Sequence, residues 1–360
     1  MDYRIIDAHL HPSSSYKPAC IDNIDQVFEI MDDNGLDRIC MQSVTMWYDW
    51  TFQLNPLLLL MKLLRPGRIY AFGGIRFPDP SESGKPFDYD KQARDLIAVG
   101  FDGIKLFAKP TVRRTFGESI DNPVFDKLYT WLNDTGTPIM YHIADPETFW
   151  DENLIPENFR ARGWYYGGGS YPSQRQLFDE TEAMLDRYPN LHVILPHFYF
   201  HSASLSRLAA LLDQHPQLRI DCTPGIEMYY NFSQNIEAAR MFFIRYSNRI
   251  HFGTDNFGCA LGDELDYLSV AKETIRYVRD MLENRNATIY GEPQNGLALP
   301  EDVLRKIYAE NFLDYLDGDP KLVSVKTAIE LTRSCIERAS MTEPAHDQLQ
   351  FVLAKMEALI

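Results

Sequence analysis

Short apolar runs and helical patterns alternate eight times along this chain, and this alternation limits its fold more than any other sequence feature. The runs are rich in β-branched residues, as buried strands are. The first begins at Ile5, and the others span 38–41, 69–72, 103–107, 138–141, 192–195, 218–221 and 249–252. Eight such alternations predict a (β/α)8 TIM barrel. A doubly wound open sheet is the alternative, but no Gly-x-Gly-x-x-Gly motif follows a strand.

One of the helical patterns carries signals for both of its ends. Apolar residues within 124–132 recur at helical spacing. Asn122 is suited to cap the N-terminus, and Pro123 to occupy the first helical position. Gly136 is suited to end the helix. The sequence therefore predicts a helix between Asn122 and Gly136.

Two regions fall outside the alternation. Residues 145–173 form a long excursion after the fifth predicted strand, and its many aromatic side chains favour packing over disorder. After Gly318, amphipathic patterns at 322–338 and 348–359 predict two more helices. We therefore expect a barrel domain over residues 1–318 and a C-terminal helical extension over 319–360. The extension would cap the barrel floor or contact a second subunit in a homo-oligomer.

Charge and cysteine content restrict the partners and the compartment. The 360 residues carry a formal charge of −16 at pH 7. Nucleic acids and anionic membranes select basic surfaces, so neither is expected as a partner. Five scattered cysteines without a Cys-x-x-Cys pair indicate a reducing compartment. The start lacks the features of a signal peptide, and the longest apolar stretch, 56–64, is too short for a bilayer. We expect a cytoplasmic protein.

Residues capable of metal chemistry end several of the predicted strands. His9 and His11 lie two apart on the first strand, so both side chains face the same side. Paired imidazoles suit zinc and other transition metals. His142 ends the fifth strand, His197 the sixth and Asp255 the eighth. In a TIM barrel these strand ends share one rim, where catalysis takes place. The five residues are therefore expected to converge.

Each of these residues alone has an ordinary explanation, such as a polar strand end or a capped turn. Lys105 is harder to explain, because it lies inside the apolar fourth strand and a buried lysine without a partner is costly. A structural ion pair with a carboxylate of the lumen would account for it. The coincidence of five residues at one rim is what favours a shared site.

Four motifs resemble those of the amidohydrolase superfamily. They are Asp7-Ala8-His9-Leu10-His11, Tyr141-His142, Pro196-His197 and Phe252-Gly253-Thr254-Asp255. The segment 307–313 is also similar to the end of the barrel in one branch, which includes aminocarboxymuconate-semialdehyde decarboxylase and lactone hydrolases. The resemblance covers residues 4–317. The glycines usual after the sixth-strand histidine are replaced here by Phe198-Tyr199-Phe200, which puts the pocket wall in question but not the metal ligands.

The resemblance implies a set of roles for these residues. His9, His11, His142 and Asp255 would bind one divalent metal ion, expected to be zinc. His197 would act as general acid/base or steady the activated water, and Asp255 would accept a proton. The alternative is a carboxylated Lys105 that bridges two ions, with His142 and His197 on the second.

Substrate contacts follow from residues at the same predicted rim. Arg76 ends the third strand, and a guanidinium pairs bidentately with a carboxylate. With Lys105 and Trp150, Arg76 is predicted to bind a small, carboxylate-bearing substrate. The leading hypothesis is a metal-dependent hydrolase of a small organic acid, amide or lactone that uses a metal-activated water. Alternatives are a non-oxidative decarboxylase of an unsaturated or aromatic acid, a related phosphoesterase or deoxyribonuclease, and a catalytically silent binding barrel.

Overall fold

Nine strand segments form the main sheet of the protein. The computed structural model describes residues 3–12, 23–44, 48–78, 82, 87–225, 227–257, 267–337 and 343–360. The strands are β1 Ile5–His11, β2 Leu36–Gln42, β3 Ile69–Gly74, β4 Gly103–Phe107, β5 Ile139–His142, β6 Val193–Leu195, β7 Leu218–Asp221, β8 Ile250–His251 and β9 Asn256–Phe257. Their order is β8-β7-β6-β5-β4-β3-β2-β1-β9, and all neighbours are parallel.

The strands β8 and β9 together close this sheet into a ring. β8 pairs with β7, whereas β9, which continues the same stretch of chain, pairs with β1. Between them, Ala8 N donates to Phe252 O at 2.9 Å and Asp255 N donates to His9 O at 2.8 Å. With β8 and β9 counted as one strand, eight parallel strands alternate with helices, and the predicted TIM barrel is confirmed.

Helices follow the strands and surround the ring. They are α1 Asn23–Asp33, α2 Tyr48–Leu64, α3 Tyr89–Val99, α4 Pro110–Phe116, α5 Asp126–Thr135, α6 Glu157–Arg160, α7 Gln174–Arg187, α8 Leu205–Gln214, α9 Met228–Gln234, α10 Ile236–Arg245, α11 Tyr267–Glu283, α12 Glu301–Arg305, α13 Asn311–Tyr315, α14 Val325–Ile336 and α15 Glu343–Glu357. A hairpin of β10 Asn286–Ile289 and β11 Glu292–Asn295 follows α11. Among the residues described, no helix is both long and apolar enough to cross a membrane.

The helix predicted between Asn122 and Gly136 forms with the predicted end signals. It opens with a 3-10 turn at Pro123–Phe125 and continues as α5. The Asn122 side chain accepts a hydrogen bond from Val124 N at 2.9 Å. Gly136 ends α5 with a φ of +61°, which glycine adopts without steric cost.

The C-terminal extension covers the flank of the barrel. α14 and α15 pack against each other, and both pack on α2. The α2 residues 57–61 are all buried, although only one face of the helix meets β3. A helix that is apolar on all sides needs cover on all sides. The extension covers the part of α2 that β3 does not contact. Contact of the extension with another subunit, and its status as a separate domain, remain predictions.

The floor of the barrel is filled by α13 and not by α14 or α15. Phe312 and Tyr315 of α13 join a buried cluster with residues of β1, β2, β3, β5 and β6. The segment that leads into the extension is fastened there, because Tyr70 Oη donates to Gly318 O at 2.7 Å. The prediction that the extension helices cap the floor is therefore wrong, since α13 already occupies that place.

Candidate metal centre

His9 and His11 point into the lumen from the end of β1, each oriented by an oxygen acceptor. His9 Nδ1 lies 2.9 Å from Asp221 Oδ2, and His11 Nδ1 lies 2.9 Å from the carbonyl oxygen of Gln42. An acceptor beside Nδ1 favours the proton on that nitrogen. Each imidazole then presents an unprotonated Nε2, and the two Nε2 atoms are 3.2 Å apart.

Asp255 brings a carboxylate to the same point from the other side of the barrel closure. Its Oδ1 lies 3.4 Å from His9 Nε2 and 3.1 Å from His11 Nε2. Its Oδ2 lies 3.9 Å from His197 Nε2. Burial raises the pKa of the Asp255 carboxyl, but the neighbouring imidazoles lower it by more and hold it well below its usual value. The carboxylate is therefore ionised and can act as a ligand.

The spacing of these three donor atoms fits one divalent ion. Ligands about 2.0–2.1 Å from a tetrahedral zinc ion lie about 3.3–3.4 Å from one another. The observed separations are 3.1–3.4 Å. Burial, with Lys105 nearby, lowers the pKa of His9 well below its usual value, and burial likewise lowers that of His11. Neutral imidazole is the form that binds a metal.

Lys105 lies inside this cluster. Its Nζ is 3.2 Å from His9 Nε2, and the side chain is fully buried. Burial lowers the pKa of Lys105 to about 8, although Asp255 and Asp221 oppose the shift. No ion pair of Lys105 with a carboxylate is found among the described residues, and its role as a substrate contact or a metal bridge stays a prediction.

His197 is held beside the cluster by an unusual backbone turn. Residues 197–200 all have φ values between +52° and +56°, a left-handed conformation that costs L-residues about 1–2 kcal/mol each. His197 N donates to Asp221 Oδ1 at 2.8 Å, which fastens the first residue of the turn. Phe198 and Tyr199 are buried, and their burial offsets part of that cost. Of the aromatic residues found in place of glycines, Phe198 and Tyr199 pack into the main core, and Phe200 packs against the rings of His142 and His197.

His142 packs against the ring of His197 and has no direct contact with the three donor atoms among the described residues. The His142 and His197 ring centroids are 5.2 Å apart, and His142 Nε2 is 3.6 Å from Asp145 Oδ1. Burial lowers the pKa of His142 to about 4, so its ring is neutral. The structure brings His142 to the predicted rim, but its contacts among the described residues join it to His197 and not directly to His9, His11 or Asp255.

Arg76 and Trp150 lie elsewhere. Arg76 makes a bidentate ion pair with Glu82, in which Nη2 lies 2.7 Å from Oε1, and its guanidinium stacks on Phe87 at 4.5 Å. That pair lines a cavity of about 450 Å3, which α14 also borders. Trp150 Nε1 donates to Pro172 O at 3.0 Å inside the excursion. Among the described residues neither side chain contacts His9, His11 or Asp255, and their roles in substrate binding stay predictions.

Sequence reasoning missed several residues that organise the centre. Asp221 is hydrogen-bonded to His9 Nδ1 and to the backbone N of His197. Because Asp221 ends β7, the search for polar residues at the ends of strands could have found it. Asp7 accepts hydrogen bonds from His9 N at 3.1 Å and Thr254 N at 3.2 Å, and burial raises its pKa to about 8. Gln42 acts through its backbone carbonyl, for which side-chain patterns carry no signal.

Comparison with known proteins gives one family and several similar folds. The family model described as Amidohydrolase matches residues 6–311. A putative amidohydrolase from Staphylococcus aureus aligns with a TM-score of 0.55 and 13% identity over 87% of this chain and 99% of that one. IDCase from Metarhizium anisopliae aligns with a TM-score of 0.54 and 14% identity over 87% and 97%.

A third similar structure has a substrate in its name. A probable 2-pyrone-4,6-dicarboxylic acid hydrolase from Acinetobacter baumannii aligns with a TM-score of 0.52 and 12% identity, over 88% of this chain and 100% of that one. Sequence comparison with curated proteins gives no match. At these identities the structural matches show a shared fold.

Proposed function

The chain belongs to the amidohydrolase family, and from that premise we propose that it is a metal-dependent hydrolase of a small organic acid, amide or lactone. The observation that carries the proposal is the set of three donor atoms, His9 Nε2, His11 Nε2 and Asp255 Oδ1, with separations of 3.1–3.4 Å. Buried imidazoles held in one tautomer by oxygen acceptors are arranged for a metal and not for packing alone.

We assign His9, His11 and Asp255 as ligands of one divalent ion, most suitably zinc. His142 is proposed as a further ligand through Nδ1, since its Nε2 faces Asp145. An ion held by these residues would supply Lewis-acid activation of water and of a substrate carbonyl. The alternative of two ions, bridged by a carboxylated Lys105, uses the same residues.

Proton transfer falls to Asp255 and His197. Asp255 Oδ2 is not among the three donor atoms and faces His197 Nε2 at 3.9 Å. It can accept a proton from the attacking water and pass it toward the leaving group by way of His197. His197 Nδ1 lies 3.2 Å from Thr223 Oγ1, which fixes the ring for this transfer.

We propose that Lys105, and not Arg76, meets the negative charge of the substrate. Arg76 is engaged by Glu82 in another cavity, whereas Lys105 is a buried cation 3.2 Å from His9 Nε2. In a buried site a cation stabilises a carboxylate or a developing oxyanion more strongly than in water. A carboxylate-bearing substrate therefore remains part of the proposal. Trp150 would act only through the packing of the excursion.

A non-oxidative decarboxylase is the second candidate. The branch that the sequence motifs resemble includes a decarboxylase, and the fold is shared with IDCase as well as with a probable hydrolase. Lys105 could hold the carboxylate of an unsaturated or aromatic acid, and His197 could protonate the carbon after loss of carbon dioxide. The residues are the same for both reactions, so the products must decide.

The test is metal analysis joined to a substrate panel. Purified protein stripped by a chelator is reloaded with Zn²⁺, Co²⁺ or Mn²⁺ and given lactones, amides and unsaturated acids, with hydrolysis and carbon dioxide measured separately. We expect one ion per chain and hydrolysis without carbon dioxide. His9→Ala should lose both the metal and turnover, whereas His346→Ala, an exposed histidine on α15, should keep both.

Other outcomes select the alternatives. Carbon dioxide without hydrolysis would assign the decarboxylase. Two ions per chain together with a carboxylated Lys105 would assign the two-metal form. A protein that takes up no metal and turns over none of the panel would be the silent binding barrel, and the proposed enzyme would be excluded.

A further inference from the structure

Asp145 is the first residue of the excursion at 145–173, and its side chain faces the candidate metal centre. Its side chain is 6% exposed, and its Oδ1 is 3.6 Å from His142 Nε2. Its Oδ2 accepts a hydrogen bond from Tyr166 Oη at 2.7 Å and lies 3.5 Å from Lys109 Nζ. One carboxylate thus contacts a residue of the centre, a residue of the excursion and a residue that follows β4.

The excursion has a small core of its own, separate from the main core. Phe149, Ile155 and Tyr166 are buried in it, with partly buried aromatic residues around them. The Tyr166 ring packs against Trp150 with centroids 5.0 Å apart, and Tyr166 N donates to Phe149 O at 2.8 Å. The Tyr166 hydroxyl is therefore a polar contact that leads from this core to Asp145.

His142 is fixed on its other sides by rings. It stacks on Phe107 with centroids 5.5 Å apart and meets His197 edge-on at 5.2 Å. Its Nε2 is buried and has no hydrogen-bond partner among the described residues, with Asp145 just beyond hydrogen-bond length. Histidines that bind metals usually donate their second ring N–H to such a carboxylate.

Lys109 adds a second connection between Asp145 and the excursion. Its Nζ lies 4.0 Å from the ring centroid of Trp164, a residue of the excursion core, and 3.5 Å from Asp145 Oδ2. The lysine is buried, so its charge is poorly screened. Tyr166 and Lys109 together hold the carboxylate on the side opposite His142.

We propose that Asp145 is a positioning residue that couples the packing of the excursion to the metal centre through the orientation of His142. The inference rests on the proposed function, because the coupling acts on a metal ligand. Linkage makes the effect reciprocal: if the excursion strengthens metal binding, the metal must stabilise the excursion by the same free energy.

The test uses two matched tyrosine variants of the full chain. Tyr166→Phe removes the hydroxyl that binds Asp145, and Tyr171→Phe makes the same change in the same core. The Tyr171 hydroxyl has no bond to Asp145. It accepts from Arg114 Nη1 at 2.8 Å and donates to Gly163 O at 3.4 Å, so the variant also reports the effect of losing a hydroxyl contact within the excursion. Zinc affinity is measured by competition with a chromophoric chelator. Packing of the excursion is measured by trypsin cleavage after Arg160 or Arg162, with and without zinc.

In the wild type, zinc should slow this cleavage. Tyr166→Phe should weaken zinc binding about 5–10-fold and reduce the protection by a matching factor, whereas Tyr171→Phe should leave both unchanged. Asp145→Asn, which keeps the size of the side chain, should weaken zinc binding at least as much as Tyr166→Phe. This second variant tests the proposal even if Tyr166→Phe disturbs the excursion.

Three different results would overturn the proposal. Wild-type zinc affinity in both Tyr166→Phe and Asp145→Asn would exclude the coupling and leave the proposed hydrolase intact. A wild-type chain that takes up no zinc would overturn the metal-dependent function and the coupling together. Equal losses in Tyr166→Phe and Tyr171→Phe would show a general effect of packing and would also exclude the coupling.

Discussion

The two ends of the barrel lumen both bury histidines, but they treat them differently. At the end where the strands finish, His9 and His11 each have an oxygen 2.9 Å from Nδ1 and turn Nε2 toward a carboxylate. At the floor, His251 is fully buried edge-on to Phe312, and neither of its ring nitrogens has a hydrogen-bond partner among the described residues.

Burial lowers the histidine pKa at both ends, and it lowers that of His251 to about 3. A neutral, buried imidazole is therefore not evidence of a metal site. What separates the two ends is the acceptor beside Nδ1, which fixes the tautomer, and the carboxylate in front of Nε2. The predictions that follow test whether this difference decides function.

Asp255→Asn should have the largest effect, because it removes the charge in front of both Nε2 atoms and the proton acceptor facing His197. We expect kcat/KM of the zinc-loaded protein to fall about 10²–10⁴-fold. Steady-state kinetics on the best substrate of the panel measures the change. His251→Leu, at the other end, should keep turnover within a factor of about three, since a core substitution acts on stability. Comparable losses in the two variants would remove the distinction.

Asp221→Asn should have an intermediate effect. The amide preserves the shape but weakens the acceptor for His9 Nδ1, so zinc affinity should fall about 10–100-fold. Chelator competition measures it. Asp186→Asn makes the same change on a carboxylate that is 60% exposed on α7, and it should bind zinc like the wild type. An unchanged affinity in Asp221→Asn would mean that orientation of His9 is not what makes this end a metal site.

His251→Leu should alter the dependence of stability on pH. The unfolded histidine has a pKa near its ordinary 6.5, whereas burial lowers the pKa of folded His251 to about 3. Between these values only the unfolded chain takes up the proton, so stability is lost as pH falls from 6.5 toward 3. At pH 5 this contribution is about 2 kcal/mol.

Urea unfolding of metal-free protein at pH 8 and pH 5 measures the effect. His251→Leu should lose about 2 kcal/mol less stability between these conditions than the wild type. The other buried histidines titrate equally in both proteins, so the difference isolates the floor. An identical loss in both proteins would show that His251 is charged, or hydrated, in the folded state.

Features set by strand periodicity could be predicted from the sequence. The spacing of His9 and His11 placed both rings on one side, and the alternation of strands and helices placed Asp255 and His197 at the same rim. Lys105 stood out because an apolar strand rarely carries a charge, and it lies beside His9.

Features set by tertiary partners could not be predicted in this way. Arg76 was expected to end the third strand, but it lies two residues beyond β3, where Glu82 binds its guanidinium. His142 lies at the right rim, yet the ring of His197 stands next to it and its Nε2 faces Asp145. The extension was expected at the floor or at a second subunit, but α14 and α15 pack on α2 instead. The sequence pattern of the extension shows that it has an apolar face, but not which part of the barrel that face covers.

The proposed ligands His9 and Asp255 lie where the first and last strands of the barrel meet, with Asp255 N bonded to His9 O. An ion shared by these side chains would cross-link two points that lie almost a whole domain apart in sequence. It would constrain this fold as a long-range disulfide constrains a disulfide-bonded protein. The ion proposed for catalysis would therefore also stabilise the closure of the barrel.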